Sequence, residues 1–318
     1  MKAPHSTLLI WLSLPLFAHG QTSDESSDNM DNGIHSISLS QIQYREDFEF
    51  ENSTQSLNIT GPSFQYSYGQ ERYGVGFNYQ KADDHQQNLS QALERQFALM
   101  LETEGYGVFA QFYLGQAWLG ISVQKSAEFN EYHFSNRDVL IKNQNEIKTD
   151  SLSVDGGYGW YFDTSQLSLS GQLSQQSNQQ KSVYVESRDL LTLRNASQDT
   201  SNIKEDALLA SITLDYGVFI DFAFINPDLQ LVTNINISRI TSLSGNAHIQ
   251  QNTRYSLPNI NPSQNTDALT VENQQDSTRY GVQVSLQSIQ NSMSFSVDNE
   301  EGQDLADAYF SISIGTQF

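Results

Sequence analysis

From about residue 37 onward, the apolar residues of this chain recur at every second position. Successive side chains of a β-strand point to opposite faces, whereas a helix requires a period of 3.6 residues. The clearest example runs from Leu208 to Phe224, where apolar residues alternate with small or polar ones such as Ser211 and Asp215. The pattern therefore predicts long strands, each with one apolar face and one polar face.

The alternating segments predict twelve strands. They lie near residues 37–50, 56–68, 72–82, 94–114, 117–128, 148–162, 165–176, 204–225, 228–240, 277–287, 291–298 and 306–318. The apolar phase shifts between Leu101 and Tyr106, so segment 94–114 is either one strand with a bulge or two strands joined by a turn. Tight turns alternate with long connections, as in membrane barrels. The long connections are predicted at 83–93, 129–147, 177–203 and 241–276.

Composition decides which solvent the apolar faces meet. The mean hydropathy is -0.48 although aromatic residues make up 11% of the chain, and no long apolar run follows the first twenty residues. A transmembrane helix needs about 20 consecutive apolar residues, whereas a barrel strand needs them only at alternate positions. A soluble β-sandwich or soluble β-barrel with its apolar face inward is the alternative. Polar faces poor in Lys and Glu, and aromatic residues near strand ends, favour an all-β, antiparallel, up-and-down transmembrane barrel.

The N-terminal residues predict export. Lys2 precedes the apolar run Leu8–Phe17, and Ala18-His19-Gly20 fits a cleavage site, so residues 1–20 are predicted to be a signal peptide. An uncleaved membrane anchor is the alternative, but the apolar run is short for one. Residues 21–36 are acidic and rich in Ser and Asn, and we expect them to be disordered. Residues 37–318 then form the barrel.

The last strand carries a recognisable ending. Counting back by twos from the terminus gives Phe318, Thr316, Ile314, Ile312 and Phe310. This ending resembles the C-terminal assembly signal of Gram-negative outer-membrane proteins, although Thr316 stands where that family commonly has an aromatic residue. The resemblance covers about the last nine residues and implies insertion into the outer membrane by its assembly machinery. It identifies no subfamily.

The net charge and the residue content limit which partners and cofactors can be expected. The net charge of -21 argues against nucleic acid, because binding to phosphates requires clustered Lys and Arg. The chain has no cysteine and no metal-ligand spacing among its histidines, so no cofactor and no metal site are predicted. The expected surroundings are outer-membrane lipid and lipopolysaccharide, and we expect a monomer.

If the apolar positions face lipid, the charged residues between them are candidates to line the lumen. These candidates are Arg45, Asp47, Glu49, Arg72, Asp155, Asp215, Asp221 and Arg279. They either form ion pairs across the lumen or set a charge preference for a permeating solute. The sequence thus predicts a small passive, porin-like channel, with a structural or adhesive surface barrel as the alternative.

Two clusters of residues are candidate catalytic sites. Asp83-Asp84-His85 offers carboxylates beside a base, and His133 with Ser135 offers a base beside a nucleophile. Both clusters fall in predicted mobile loops, and neither matches a known hydrolase motif. We therefore expect no enzymatic activity, with an outer-membrane protease or lipid hydrolase as the less favoured alternative.

Overall fold

A computed structural model describes most of residues 33–318. The ranges outside the description are 1–32, 51–52, 71, 91–94, 137–138, 189–194, 223–228, 257–263, 273–275, 289 and 302–307. Gly33–Phe318 forms one compact unit. The signal peptide predicted for residues 1–20 lies outside the described residues, as does most of the disordered segment predicted for 21–36.

Thirteen strands make up the described chain. They are β1 (Ile34–Phe50), β2 (Ser53–Gly69), β3 (Tyr73–Ser90), β4 (Arg95–Leu114), β5 (Ala117–Ser135), β6 (Val139–Tyr161), β7 (Ser165–Arg188), β8 (Asn195–Asp221), β9 (Gln230–Ser256), β10 (Gln264–Glu272), β11 (Asp276–Gln287), β12 (Asn291–Glu300) and β13 (Tyr309–Gln317). In the part of the chain with assigned structure, no helix is long and apolar enough to span a membrane.

Twelve of these strands close into a ring in which every pairing is antiparallel. The strands from β1 to β9 pair in chain order, β9 then pairs with β11, and β13 returns to β1. Closure satisfies the backbone hydrogen-bonding groups that lipid cannot satisfy. The extra strand β10 pairs only with the outer part of β9, Asn246–Arg254, and is not a member of the ring. The predicted twelve-stranded up-and-down barrel is confirmed.

Several hairpins continue far beyond a bilayer. β8 and β9 each have 27 residues, whereas about 9–11 residues suffice to cross a membrane. The predicted long loops are therefore largely wrong, because most of 83–93, 129–147 and 177–203 is paired strand. The short connections and both ends of the described barrel lie at one end, which we call the turn end. The other is the hairpin end.

The outward faces carry a continuous apolar band at the turn end. Large apolar side chains are exposed there on almost every strand, including Leu119 (57%), Ile212 (64%) and Ile314 (56%). Ion pairs border the band on its hairpin side. They join Lys81 to Glu102 at 2.6 Å, Lys125 to Asp150 at 3.1 Å and Arg239 to Glu301 at 3.9 Å. A band of this kind is what a lipid-facing wall requires.

The first and last strands meet at the turn end through the C-terminal residue. The backbone N–H of His35 donates to the carbonyl of Phe318 at 2.9 Å, and the reverse bond measures 3.0 Å. The two rings stack with centroids 5.6 Å apart. The imidazole Nδ1 of His35 also lies 2.8 Å from the hydroxyl of Tyr66. The terminal aromatic residue therefore helps to close the barrel seam.

The described part of the ambiguous segment 94–114 is the single strand β4, which has no bulge. β4 pairs with β3 and with β5 in unbroken register through both Leu101 and Tyr106. The apolar phase shifts because, in chain order, the apolar side chains change from the inward face to the outward face along the strand. The register shift recorded in the ring lies between β8 and β9, where Leu208 pairs with Ser244 and Leu209 with Ser242. The extra residue is Leu243, and its side chain is exposed.

Candidate functional site

The inner wall of the barrel is the candidate site, and strand register identifies its members. Cross-strand partners lie on the same face of a sheet, and alternate residues of one strand lie on opposite faces. The exposed apolar band marks the outward face, so the residues between its members face inward. On β6, for example, Leu152 and Val154 are outward and Ser153 and Asp155 are inward.

At the level of the apolar band, the inward residues are small or polar. We call this surface the polar inner wall. Its members include Ser38, Ser67, Gly107, Ser153, Asp155, Ser174, Asp215, Asn236, Gly281 and Asp298. Serines pair directly across strands, with Oγ atoms 3.0 Å apart for Ser153 and Ser174 and 2.7 Å apart for Ser296 and Ser311. Small side chains leave space inside a barrel of this strand number.

Inward glycines let longer side chains lie along the wall. A Cβ atom on Gly281 would stand 2.1 Å from Asp298 Oδ1 and 2.8 Å from Asn236 Nδ2. One on Gly217 would meet Asn234 Oδ1 at 2.4 Å. Because glycine has no side chain, these polar side chains can lie over it, in the space that a larger residue would fill. The glycines therefore affect how wide the interior of the barrel is.

Charge on the inner wall is almost entirely negative. The inward carboxylates are Asp84, Glu128, Asp155, Glu186, Asp199, Glu205, Asp215, Asp298 and Glu300. Among strand residues with described side chains, Arg279 is the one inward basic residue, and its Nε lies 3.1 Å from Glu300 Oε2. The other described basic side chains on strands face outward. An inner wall of this composition attracts cations.

The predicted lumen-lining residues divide into four groups. Asp155, Asp215 and Arg279 lie on the inward face, and Ser168 donates a hydrogen bond to Asp215 at 3.3 Å. Arg72 and Asp221 lie instead at the turn end. Arg72 is exposed in the β2–β3 turn, while the exposed Asp221, which ends β8, accepts a hydrogen bond from Gln230 at 2.9 Å.

Arg45 lies on the side opposite to the one predicted. It is exposed, shares the outward face with Leu39, and donates to Ser56 Oγ at 2.7 Å. The prediction assumed that apolar residues face outward along the whole strand. Beyond the apolar band the outward face meets water, so polarity inverts there. Asp47 and Glu49 fall on β1, but their side chains lie outside the described set.

The inversion creates a feature that sequence reasoning missed. Apolar inward residues pack together near the hairpin end of β1–β5, and we call this group the apolar inner cluster. Its buried members are Ile42, Leu57, Ile59, Ala82, Leu99, Leu101 and Tyr132. Leu57, Ile59 and Leu101 have no exposed surface. The phase shift after Leu101 was the signal that could have revealed it.

The two catalytic candidates are on strands rather than in mobile loops. Asp84 faces inward and accepts a hydrogen bond from the backbone N–H of Asn58 at 2.8 Å, whereas Asp83 and His85 face outward. These three side chains therefore do not converge. His133 and Ser135 share the outward face of β5. No group of His, Asp and Glu capable of holding a metal ion occurs within the described ranges.

The assembled features define the class of fold. A closed, antiparallel, twelve-stranded wall with an apolar outer band and a polar inner wall is the fold of an outer-membrane β-barrel. No protein-family model matches the sequence, and no curated relative does.

Comparison with solved structures gives one likeness that supports this fold and two weaker ones. The translocator domain of the autotransporter NalP from Neisseria meningitidis superposes with a TM-score of 0.56 at 11% identity, covering 92% of this chain and 90% of that chain. The β domain of the Bordetella autotransporter BrkA gives 0.47 at 9% identity, covering 90% of this chain and 99% of that one. A Pseudomonas aeruginosa FadL homologue gives 0.44 at 11% identity, covering 91% and 90%. At these identities the likeness concerns the fold alone.

Proposed function

We propose that the protein is a monomeric outer-membrane barrel that acts as a small passive channel with a preference for cations. The observation that carries the proposal is the acidic inner wall, in which the inward carboxylates outnumber the one inward basic residue described, Arg279. Asp155, Asp215 and Asn236 remain partly exposed inside the barrel, as expected of residues that line a water-filled space.

The apolar outer band supports the proposed location. Exposed Leu, Ile and Phe side chains around the ring would be unfavourable in water, and the ion pairs beside the band suit a membrane interface. The C-terminal residues Phe310, Ile312, Ile314 and Phe318 support insertion by the outer-membrane assembly machinery. Export by a cleaved signal peptide belongs to the same proposal.

Single-channel recording in planar bilayers tests the channel. The wild-type barrel should give stable conductance steps with a cation preference. Replacing both Asp155 and Asp215 with asparagine should lower the ratio of potassium to chloride permeability by about twofold, because charged rings set selectivity in pores. Asp221→Asn is the control, since it removes a carboxylate at the rim. It should leave the ratio nearly unchanged.

One observation favours a second candidate, a surface barrel that does not conduct. The apolar inner cluster removes part of the interior cross-section near the hairpin end. A correctly folded wild-type barrel that is silent, and that begins to conduct when Leu99 and Leu101 are both changed to serine, would establish this second candidate and overturn the first.

A further inference from the structure

Three aromatic side chains stand among the small and polar residues of the inner wall near the turn end of β4, β5 and β6. They are Tyr113, Trp118 and Tyr161. Each is next in sequence to an exposed apolar residue of the outer band, namely Leu114, Leu119 and Trp160. Because neighbouring residues of a strand lie on opposite faces, the three aromatic residues face inward. Tyr113 and Trp118 are also direct cross-strand partners.

The indole of Trp118 lies flat against the wall. Its cross-strand partner on β6 is Gly157, and a Cβ atom there would stand 2.9 Å from both Cε2 and Nε1 of the indole. The ring of Tyr161 likewise lies back over Gly159, where a Cβ atom would stand 3.3 Å from the phenol oxygen. Neither Trp118 nor Tyr161 is in ring contact with another described aromatic residue. The second face of the indole is therefore turned toward the interior.

Asp155 brings a carboxylate beside these rings. Its cross-strand partner on β5 is Gly120, two residues from Trp118 on the same face. A Cβ atom on Gly120 would stand 2.7 Å from Oδ2 and 2.8 Å from Oδ1 of Asp155, so the carboxylate extends toward β5 and is a diagonal neighbour of the indole. The phenol of Tyr113 is within electrostatic range of both Asp155 and Tyr161. We call Tyr113, Trp118, Asp155 and Tyr161 the aromatic–carboxylate site.

The charge of Asp155 is not offset within the described part of the chain. Its Oδ2 atom is buried and makes no hydrogen bond, and no described basic side chain forms an ion pair with it. Asp215 on the same wall, by contrast, accepts a hydrogen bond from Ser168 at 3.3 Å. Taking a carboxylate out of water without a partner is unfavourable. A cation bound beside Asp155 would remove that penalty.

We propose that the aromatic–carboxylate site binds a quaternary ammonium ion. The negative faces of Tyr and Trp rings attract such a cation, and its alkyl groups contact the rings without requiring hydrogen-bond acceptors. Asp155 supplies the opposite charge, so an anion would be repelled and a neutral solute would leave the carboxylate without a partner. The proposal deepens the cation preference proposed above and rests on an interior that water can enter.

The fluorescence of Trp118 reports binding directly. The chain has three tryptophans, of which Trp11 belongs to the predicted signal peptide and Trp160 faces outward. In a barrel of residues 21–318 with Trp160→Phe, Trp118 is therefore the one tryptophan left. Titration with tetramethylammonium chloride in detergent at constant ionic strength should change its emission in a saturable way. Potassium chloride, which has no alkyl groups to contact the rings, should cause no saturable change.

Variants of the site separate the charge from the rings. Asp155→Asn keeps the shape of the side chain, removes its charge and should weaken binding about tenfold. Tyr161→Leu removes one ring and should weaken binding about fivefold, whereas Tyr161→Phe keeps the ring and should stay within about twofold. Asp221→Asn is the control for charge at the turn end, where Asp221 is exposed, and it should also stay within about twofold.

Two comparisons would overturn the site. One is equal affinity of the wild type and Asp155→Asn, and the other is equal affinity of Tyr161→Leu and Tyr161→Phe. Folding of each variant is checked by circular dichroism and protease resistance, and Tyr161→Phe keeps the comparison of rings valid if Tyr161→Leu does not fold.

Neutral probes test the chemistry of the ligand. Choline should bind at least about tenfold more tightly than the neutral alcohol in which carbon replaces its nitrogen. Equal binding of the two would show an apolar pocket without a preference for charge, and tighter binding of glucose would show a surface for sugars. Either result contradicts the proposal.

Conductance is measured separately, in planar bilayers. A barrel that binds tetramethylammonium but is silent supports the site and overturns the proposed channel. A barrel that conducts with a cation preference, while the emission of Trp118 does not respond to tetramethylammonium, overturns the site and leaves the channel standing.

Discussion

The apolar inner cluster and the polar inner wall occupy the same inward face of one barrel, yet they have opposite chemistry. The apolar inner cluster packs Leu57, Ile59 and Leu101 until no surface remains exposed, as in the core of a soluble protein. The polar inner wall keeps Asp155 and Asp215 partly exposed between serines and glycines. The inward face of one barrel is therefore not a single environment. At the level of the apolar band the inward face is small and polar, whereas beyond the band on β1–β5 it packs into an apolar cluster.

The largest expected effect comes from opening the apolar inner cluster. Leu101→Ala should lower the free energy of unfolding by about 3 kcal/mol, because it removes buried methyl groups and leaves a cavity. Leu119→Ala is the matched control on the lipid-facing side. Leu119→Ala should lower the free energy of unfolding by about 1.5 kcal/mol, because lipid chains fill the vacated space and only the loss of apolar contact area remains.

Urea-induced unfolding in lipid vesicles, followed by tryptophan fluorescence, measures both variants. Equal decreases in the free energy of unfolding for Leu101→Ala and Leu119→Ala would show that the apolar inner cluster is not packed as a core. The contrast between the two inward regions would then fail.

A smaller effect should come from filling a glycine of the polar inner wall. Gly281→Val would force Asp298 and Asn236 away from their places over the glycine, with an expected cost of about 2 kcal/mol. The displaced side chains should narrow the interior and lower any single-channel conductance. Gly171→Ala is the control, because its Cβ would meet the nearest atom at an ordinary 3.7 Å. Unchanged stability and conductance in Gly281→Val would show that the glycine does not control the interior width.

The alternation of residues was sufficient to predict the ring of strands but not the content of its interior. The two-residue period identifies the two faces of each strand, and the apolar band shows which face is outward. This assignment places Asp155 and Asp215 on the inward face. The same rule failed at Arg45, because it carried the lipid-facing phase into a region where the outward face meets water. The phase shift at Leu101 records that inversion, and a bulge was the wrong interpretation of it. The predicted loop lengths were also wrong. The hairpins extend beyond the bilayer, and their strands there lack the apolar alternation by which strands were predicted.

The smallest expected effect concerns the serine pair of the polar inner wall. Ser153 Oγ donates to Ser174 Oγ at 3.0 Å, and both residues are buried by neighbouring side chains. A double-mutant cycle with Ser153→Ala and Ser174→Ala measures the coupling between the two hydroxyls. If water reaches the wall, it replaces the lost partner in each single variant, and the coupling should be below about 0.5 kcal/mol. In a dry interior the remaining hydroxyl would stay unsatisfied, and each single variant would lose about 1–3 kcal/mol. A strong coupling would therefore place the serine pair in the same dry environment as Leu101, and the polar inner wall would no longer support a water-filled passage.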